Sequence, residues 1–232
     1  MPESAHPSPV PERPTLGPLL WALIASQLGL HSAMAGLRMA APLLALREGW
    51  STLAVGVLMA LFAVAPVLLA LRAGRMADRH GFHRPVKLAV ANTLLGVAVA
   101  IAATWLAGAW QFAALCVAAT LAGAGTNVGL IAIQRTAGQA AMNGVQRMRV
   151  FSWLGMAPSM SNVVGPVVAG FVIDAVGFRA AFAVLLLLPI VSLVAARHVP
   201  RSAPVPRPPA GHAAWDLLQL PGMKRLLGVN LL

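Results

Sequence analysis

The chain has 232 residues, of which 59% are apolar and only 10% are charged, and its mean hydropathy is +0.78. A soluble domain carries about 25% charged residues, so this composition excludes an ordinary soluble enzyme or binding domain and indicates a membrane protein. The net charge of +11 raises nucleic acid as a partner, but the bases lie in alternate gaps between apolar segments rather than on one face, which excludes that partner.

Six apolar segments follow a Pro-rich polar tail, residues 1–15, which is predicted to be a disordered cytoplasmic tail. The transmembrane domain is assigned to 16–196, a Pro-rich cytoplasmic linker to 197–222, and the start of a truncated seventh helix to 223–232. Each segment is close to the roughly 20 residues that a helix needs to cross a bilayer, so the fold class is an all-α membrane protein. The predicted spans are 19–44, 53–71, 86–106, 112–134, 150–173 and 180–196.

Most of the 17 lysines and arginines lie in the N-terminal tail, in 72–87, in 135–149 and in 197–225. Bases on one side of successive spans are typical of the positive-inside rule. These segments are therefore predicted to be cytoplasmic loops, with both ends of the chain on the cytoplasmic side of a plasma membrane.

The charged segment between the second and third spans carries the order Gly-x-x-x-Asp-Arg-x-Gly, followed by a displaced base. The positions are Gly74, Asp78, Arg79, Gly81 and Arg84. This order resembles motif A of the major facilitator superfamily, although Phe82 and His83 stand where the family usually has a basic pair. The resemblance implies that Gly74 allows close helix approach and that Asp78 and Arg79 latch onto the other half of a transporter. Without that half, the latch is expected to be unsatisfied, and a solvated loop is the alternative interpretation.

The fifth span carries small residues and prolines in an order similar to the family's antiporter motif, with serine or alanine replacing three glycines. The positions are Ser152, Ser161, Gly165, Pro166, Ala169 and Gly170. Three of them, Ser161, Gly165 and Ala169, are four residues apart and form a small-residue stripe that favours close helix contact. The resemblance implies export, and generic packing of a membrane helix is the alternative interpretation.

Polar residues in the first span, Gln27, His31 and Arg38, lie within about 40° of one another on a helix with 100° per residue. Such residues face the protein interior or a water-filled cavity. By resemblance, the first and fourth helices of each half line the central cavity. This polar face of the first span and a similar row of polar residues in the fourth span are therefore candidates for lining the substrate cavity. Arg38 is predicted to attract an anionic group and His31 to titrate or hydrogen-bond, the alternative being a snorkelling arginine and a packing histidine. The fourth-span stripe is Thr120, Asn127 and Gln134.

An internal repeat is suggested by Asp78-x-x-Gly81-Phe82, which recurs 96 positions later from Asp174 to Phe178. The same offset carries His31 onto Asn127. Because three spans separate the copies, the sequence predicts two inverted three-helix repeats.

Taken as a whole, the chain resembles the N-terminal six-helix half of a secondary active transporter of a small molecule, present as a truncated half. The expected partners are the lipid bilayer, a small-molecule substrate and a missing C-terminal six-helix half. The sequence has no phosphate-binding loop, metal-ligand spacing or nucleophile–base pair, so neither a cofactor nor enzymatic activity is expected. Family habit and the predominance of arginine over lysine favour the bacterial inner membrane. The alternative is a non-transporting six-helix membrane or scaffold protein, or a truncated gene product.

Overall fold

The computed structural model describes residues 16–200, which form six helices connected by short turns. Each helix is long and apolar enough to cross a membrane, which confirms the predicted all-α membrane fold. The predicted tail, most of the linker and the predicted start of a seventh helix lie outside the described residues. The helices are α1 (Leu16–Arg47), α2 (Thr52–His80), α3 (His83–Ala103), α4 (Gly108–Ala140), α5 (Gly144–Ala175) and α6 (Phe178–Ala196).

The turns divide the bundle into two ends, because successive helices with short connections run antiparallel. We call the end with the α2–α3 and α4–α5 connections, residues 81–82 and 141–143, the basic end. The opposite end carries residues 48–51, 104–107 and 176–177.

The charged segments flanking the spans are largely helical, which corrects the prediction that 72–87 and 135–149 are loops. The α2 helix continues through the charged segment to His80, and only residues 141–143 separate α4 from α5. The apolar run ends where a side chain meets water, whereas a helix ends where its backbone is capped or broken. Charge therefore marks the end of the hydrocarbon and not the end of the helix.

The packing of the six helices follows the predicted repeat. The α1 helix packs mainly on α5 and α6, and α4 packs correspondingly on α2 and α3. Gly29 and Gly125, which are 96 positions apart, mark equivalent crossings. A Cβ atom added at Gly29 would lie 2.7 Å from the Leu188 carbonyl oxygen of α6, and one at Gly125 would lie 2.7 Å from the Ala89 carbonyl oxygen of α3. Small residues thus bring the backbones of both pairs together in the same way.

Two hydrophobic clusters fill the interior, one toward each end of the bundle. The cluster at the basic end includes Phe82, Val86 and Val199, all of them almost fully buried. The α2 and α5 helices bury the smallest shares of their apolar stretches and leave large apolar faces exposed. Exposed apolar faces are the expected state of helices that contact lipid or a further membrane unit.

Candidate functional site

The polar face of α1 lies opposite the side of the helix on which Gly29 packs against α6. Gly29 faces α6, and Arg38 is nine residues further along, which is about 180° around the helix. Gln27 and His31 each lie two residues from Gly29 and so point within about 20° of the same direction. The three predicted cavity residues of α1 therefore share a face that is turned away from α6.

Exposure along this face increases from the middle of α1 toward its C-terminal end. Gln27 is 1% exposed and His31 is 9% exposed, whereas Arg38 is exposed. The His31 Nδ1 atom lies 3.2 Å from the Gln27 carbonyl oxygen, so the histidine ring is held against its own helix. Within the described bundle, only Arg38 of the three is open to its surroundings.

The side chain of Gln27 is not fully satisfied by the part of the chain that the structure describes. Its Oε1 atom is buried and accepts no hydrogen bond from any residue in 16–200, and neither does the buried Oγ atom of Ser32. Buried polar atoms almost always have a partner, because an unmet one costs about 1–3 kcal/mol. A donor from outside these side chains, such as a polar ligand, would complete this part of α1.

The α4 stripe has the corresponding position relative to α3. Gln134 is nine residues after Gly125, and Thr120 and Asn127 lie within about 40° of the same direction. Asn127 donates from Nδ2 to the Pro66 carbonyl oxygen of α2 at 3.3 Å, the Thr120 hydroxyl bonds to its own helix backbone, and Gln134 is exposed. Asn127 thus joins α4 to the part of α2 that contains Pro66, a contact that the sequence alone did not indicate.

The two polar stripes occupy equivalent faces of α1 and α4 but are not joined to each other. Among the described residues no side-chain hydrogen bond links a stripe residue of α1 to one of α4. Residues 16–200 also contain no group of three or more His, Cys, Asp or Glu side chains arranged as metal ligands. The arrangement can offer a cation at Arg38 and hydrogen-bonding groups deeper in the bundle.

The motif A carboxylate has a partner within the chain, so the expectation that Asp78 is unsatisfied is wrong. Arg135, at the basic end of α4, donates from Nε to Asp78 Oδ1 at 2.7 Å. Its Nη1 atom also donates to Gln139 Oε1 at 3.2 Å. The sequence offered one signal for this pair, because Arg135 is the first base after the long uncharged run of α3 and α4.

The two glycines of motif A have different environments. Gly81 is buried, has φ +66° and donates its N–H to the Ala77 carbonyl oxygen, which ends α2. A Cβ atom at Gly74 would meet no atom of the described chain within 4 Å, so the close approach implied for Gly74 does not occur inside this bundle. Phe82, which replaces the first base of the family's pair, is buried in the core. Arg79 and Arg84 are both exposed.

We expect Gly81→Ala to lower the free energy of unfolding by about 1–2 kcal/mol, because a side chain at this backbone geometry clashes with the following peptide. Thermal unfolding in detergent measures the change. Gly74→Ala is the matched control in the same motif and is expected to be neutral or stabilising, since alanine favours a helix interior and the site is open. Equal losses in both variants would contradict the distinction.

The small-residue stripe of α5 lies against α1. Ser161 donates from Oγ to the Ala157 carbonyl oxygen at 2.7 Å, and the Leu28 carbonyl oxygen of α1 lies 3.4 Å from the same hydroxyl oxygen. Ala169 is fully buried, and a Cβ atom at Gly165 would lie 2.7 Å from the Gly36 nitrogen. The stripe is therefore a backbone-to-backbone contact of α1 with α5.

The other antiporter-like positions lie outside that contact or at its edge. Ser152 is exposed and bonds only to its own helix backbone, and Pro166 is partly buried within α5. A Cβ atom at Gly170 would have an ordinary contact with the end of the Met39 side chain at 3.4 Å. Close packing is thus carried by three of the six positions.

Comparison with known proteins connects this geometry to a family. The family model described as Major Facilitator Superfamily matches residues 15–230, which is nearly the whole chain. No curated protein matches the chain.

Proposed function

Since the chain belongs to the major facilitator superfamily and is a multi-pass membrane transporter, we propose that it moves a small molecule by secondary active transport along the polar faces of α1 and α4. The observation that carries this proposal is the α1 face, where Gln27 has a buried oxygen without a donor among residues 16–200 and Arg38 is an exposed cation. Charged and polar side chains in the middle of a span are costly unless a pathway or partner uses them.

The chemistry of this face favours a substrate with an anionic group. Arg38 lies in the outer third of α1 and presents a guanidinium that no carboxylate of residues 16–200 pairs. Deeper along the path, His31 and Gln27 offer hydrogen-bonding groups. A substrate that enters at Arg38 would exchange its hydration for these groups step by step.

The pathway needs a second six-helix unit to close it. Transporters built from structural repeats hold their substrates near the bilayer midplane, at the interface between repeats. The exposed apolar faces of α2 and α5 are suited to contact such a unit. We assign the unit to the C-terminal half of the family's fold.

The direction of transport and the orientation of the chain in the membrane are part of the same proposal. The antiporter-like stripe of α5, which sets its contact with α1, supports export. The bases at the basic end support a cytoplasmic location for that end and for the N-terminus, in a bacterial inner membrane. The Asp78–Arg135 pair would then act on the cytoplasmic side as a latch that stabilises one conformation of the transport cycle.

We expect small organic anions to stabilise the chain through Arg38. At ten times its dissociation constant, a bound anion raises the free energy of unfolding by about 1.4 kcal/mol. Thermal unfolding in detergent measures the stabilisation by three anions, benzoate, citrate and fluorescein. Benzylammonium, a cation similar in size to benzoate, is the control ligand. Arg38→Gln should abolish the anion effect, and Arg47→Gln, which removes an exposed base at the end of the same helix, should preserve it. Stabilisation that survives Arg38→Gln, or that benzylammonium reproduces, would contradict the assignment.

A further inference from the structure

A second concave site lies at the basic end, away from the α1 and α4 polar faces. It is a cavity of about 660 Å³ between the beginning of α3 and the end of α6. Two basic residues of α3 and one that directly follows α6 line it together with four apolar or proline residues. The lining residues are His83, Lys87, Leu193, Ala196, Arg197, Val199 and Pro200.

The shape of the cavity is set by how α6 ends. After the helix, the N–H groups of Arg197, His198 and Val199 donate to the carbonyl oxygens three residues earlier, at 3.1, 3.0 and 3.3 Å. This tight turn directs Val199 into the core, where it is 3% exposed beside Phe82 and Val86. The anchored turn holds Arg197 at the wall of the cavity, so the site is part of the packed bundle.

The electrostatics of the cavity favour an anion. Among the described residues its lining includes His83, Lys87 and Arg197 but no carboxylate, and the ion pair found in 16–200 joins Asp78 to Arg135 elsewhere. The α3 helix also begins at His83 without a side-chain cap, so the positive end of its dipole adds to the field of the bases.

The remaining lining is apolar and continues into the membrane-facing surface. Leu193 and Ala196 of α6 and Val199, which follows the helix, line the cavity beside the bases. Beyond them, α3 and α6 present exposed apolar side chains, including Leu88 and Val194. A ligand with a phosphate at one end and hydrocarbon at the other would satisfy both parts, whereas free inorganic phosphate would leave the apolar wall uncovered.

We propose that this cavity between α3 and α6 binds the headgroup of an anionic phospholipid, with the phosphate at Lys87 and Arg197 and the acyl chains along the exposed apolar faces of α3 and α6. Basic pockets between transmembrane helices bind lipid headgroups in this manner. The site differs from the proposed substrate path in its helices, its residues and its ligand.

Native mass spectrometry of the purified 232-residue chain tests the proposal by counting retained lipids. The probes are dioleoyl-phosphatidylglycerol and, as the zwitterionic lipid, dioleoyl-phosphatidylcholine. We expect phosphatidylglycerol to be retained preferentially. The double variant Lys87→Gln/Arg197→Gln should weaken the retention of phosphatidylglycerol about 25-fold, because each base removed is expected to weaken it about fivefold.

The matched control is Arg72→Gln/Arg147→Gln, which removes two exposed bases from the same end of the bundle but none from the cavity. It should retain phosphatidylglycerol as the parent chain does. Arg197→Lys, which keeps the charge, should retain most of the binding, and the two single variants should lie between the parent and the double variant. The single variants decide the result if the double variant does not fold, as judged by its helical circular dichroism.

Several results would overturn the proposal. Equal retention of the two lipids would indicate an unspecific lipid annulus. Equal loss in the control variant would indicate a general effect of surface charge. A thermal stabilisation by inorganic phosphate that matches the one given by phosphatidylglycerol would assign the cavity to a soluble anion.

Discussion

Replacing Gly165 with alanine should destabilise the bundle by about 1–3 kcal/mol, the range expected when atoms are forced into a packed interior. The added Cβ atom would lie 2.7 Å from the Gly36 nitrogen and closer still to the Ser32 carbonyl oxygen. Both contacts are with backbone, which cannot rotate away. The α1 and α5 helices would therefore have to separate along their whole contact. Gly165→Leu should prevent the bundle from forming.

Thermal unfolding in detergent measures this change, and Gly155→Ala is the matched control. Gly155 lies in the same helix, but a Cβ atom there meets no atom of the described chain within 4 Å. That variant should be neutral or gain stability of up to about 1 kcal/mol from the better helix propensity of alanine. If Gly165→Ala proves as stable as Gly155→Ala, the α1–α5 contact is looser than described.

Neutralising the motif A carboxylate should affect the transport cycle much more than the fold. The Asp78 side chain is 70% exposed, so its ion pair with Arg135 contributes only about 0.2–1 kcal/mol to stability. A latch formed in only one of two conformations of the cycle shifts the free-energy difference between them by about 1–3 kcal/mol. We therefore expect Asp78→Asn to slow transport about tenfold. The measurement compares transport in proteoliposomes that hold both six-helix units with thermal unfolding of the same variants.

Asp174→Asn is the control for this prediction. Asp174 is the repeat equivalent of Asp78, is exposed on α5, and pairs with no base among the described residues. It should leave the transport rate unchanged, whereas Arg135→Gln should reproduce the effect of Asp78→Asn. A normal rate in Asp78→Asn, or an equal loss in Asp174→Asn, would reduce the pair to a solvated surface contact.

The number, order and approximate positions of the helices could be predicted because apolar length is a property of the sequence itself. Their ends could not. The α2 helix extends nine residues past the predicted end of its span at residue 71, to His80, because nothing interrupts its backbone before Gly81. Hydropathy detects where hydrocarbon ends, and a positive-φ glycine decides where the helix ends.

The faces of the candidate site could be predicted from angular spacing, but their exposure could not. Gln27 and Arg38 share one direction on α1, yet Gln27 is covered by neighbouring helices and Arg38 is open. Burial depends on the tilt and closeness of helices that are distant in sequence. The same reason applies to Arg135, whose partner Asp78 lies 57 residues away.

The central claim, that the polar face of α1 borders a water-filled path, is tested most directly by thiol labelling at equal depth in the membrane. In a Cys116→Ala background, cysteine is placed at Arg38 and at Leu187, each nine residues from the end of its helix that lies opposite the basic end. Leu187 is 59% exposed on an apolar face of α6, and a third cysteine at the fully buried Leu37 serves as the packed control. Because only a hydrated thiol ionises and reacts, a membrane-impermeant maleimide should label position 38 at least about tenfold faster than positions 187 and 37. Labelling of position 187 as fast as position 38, or no labelling at position 38, would contradict the account.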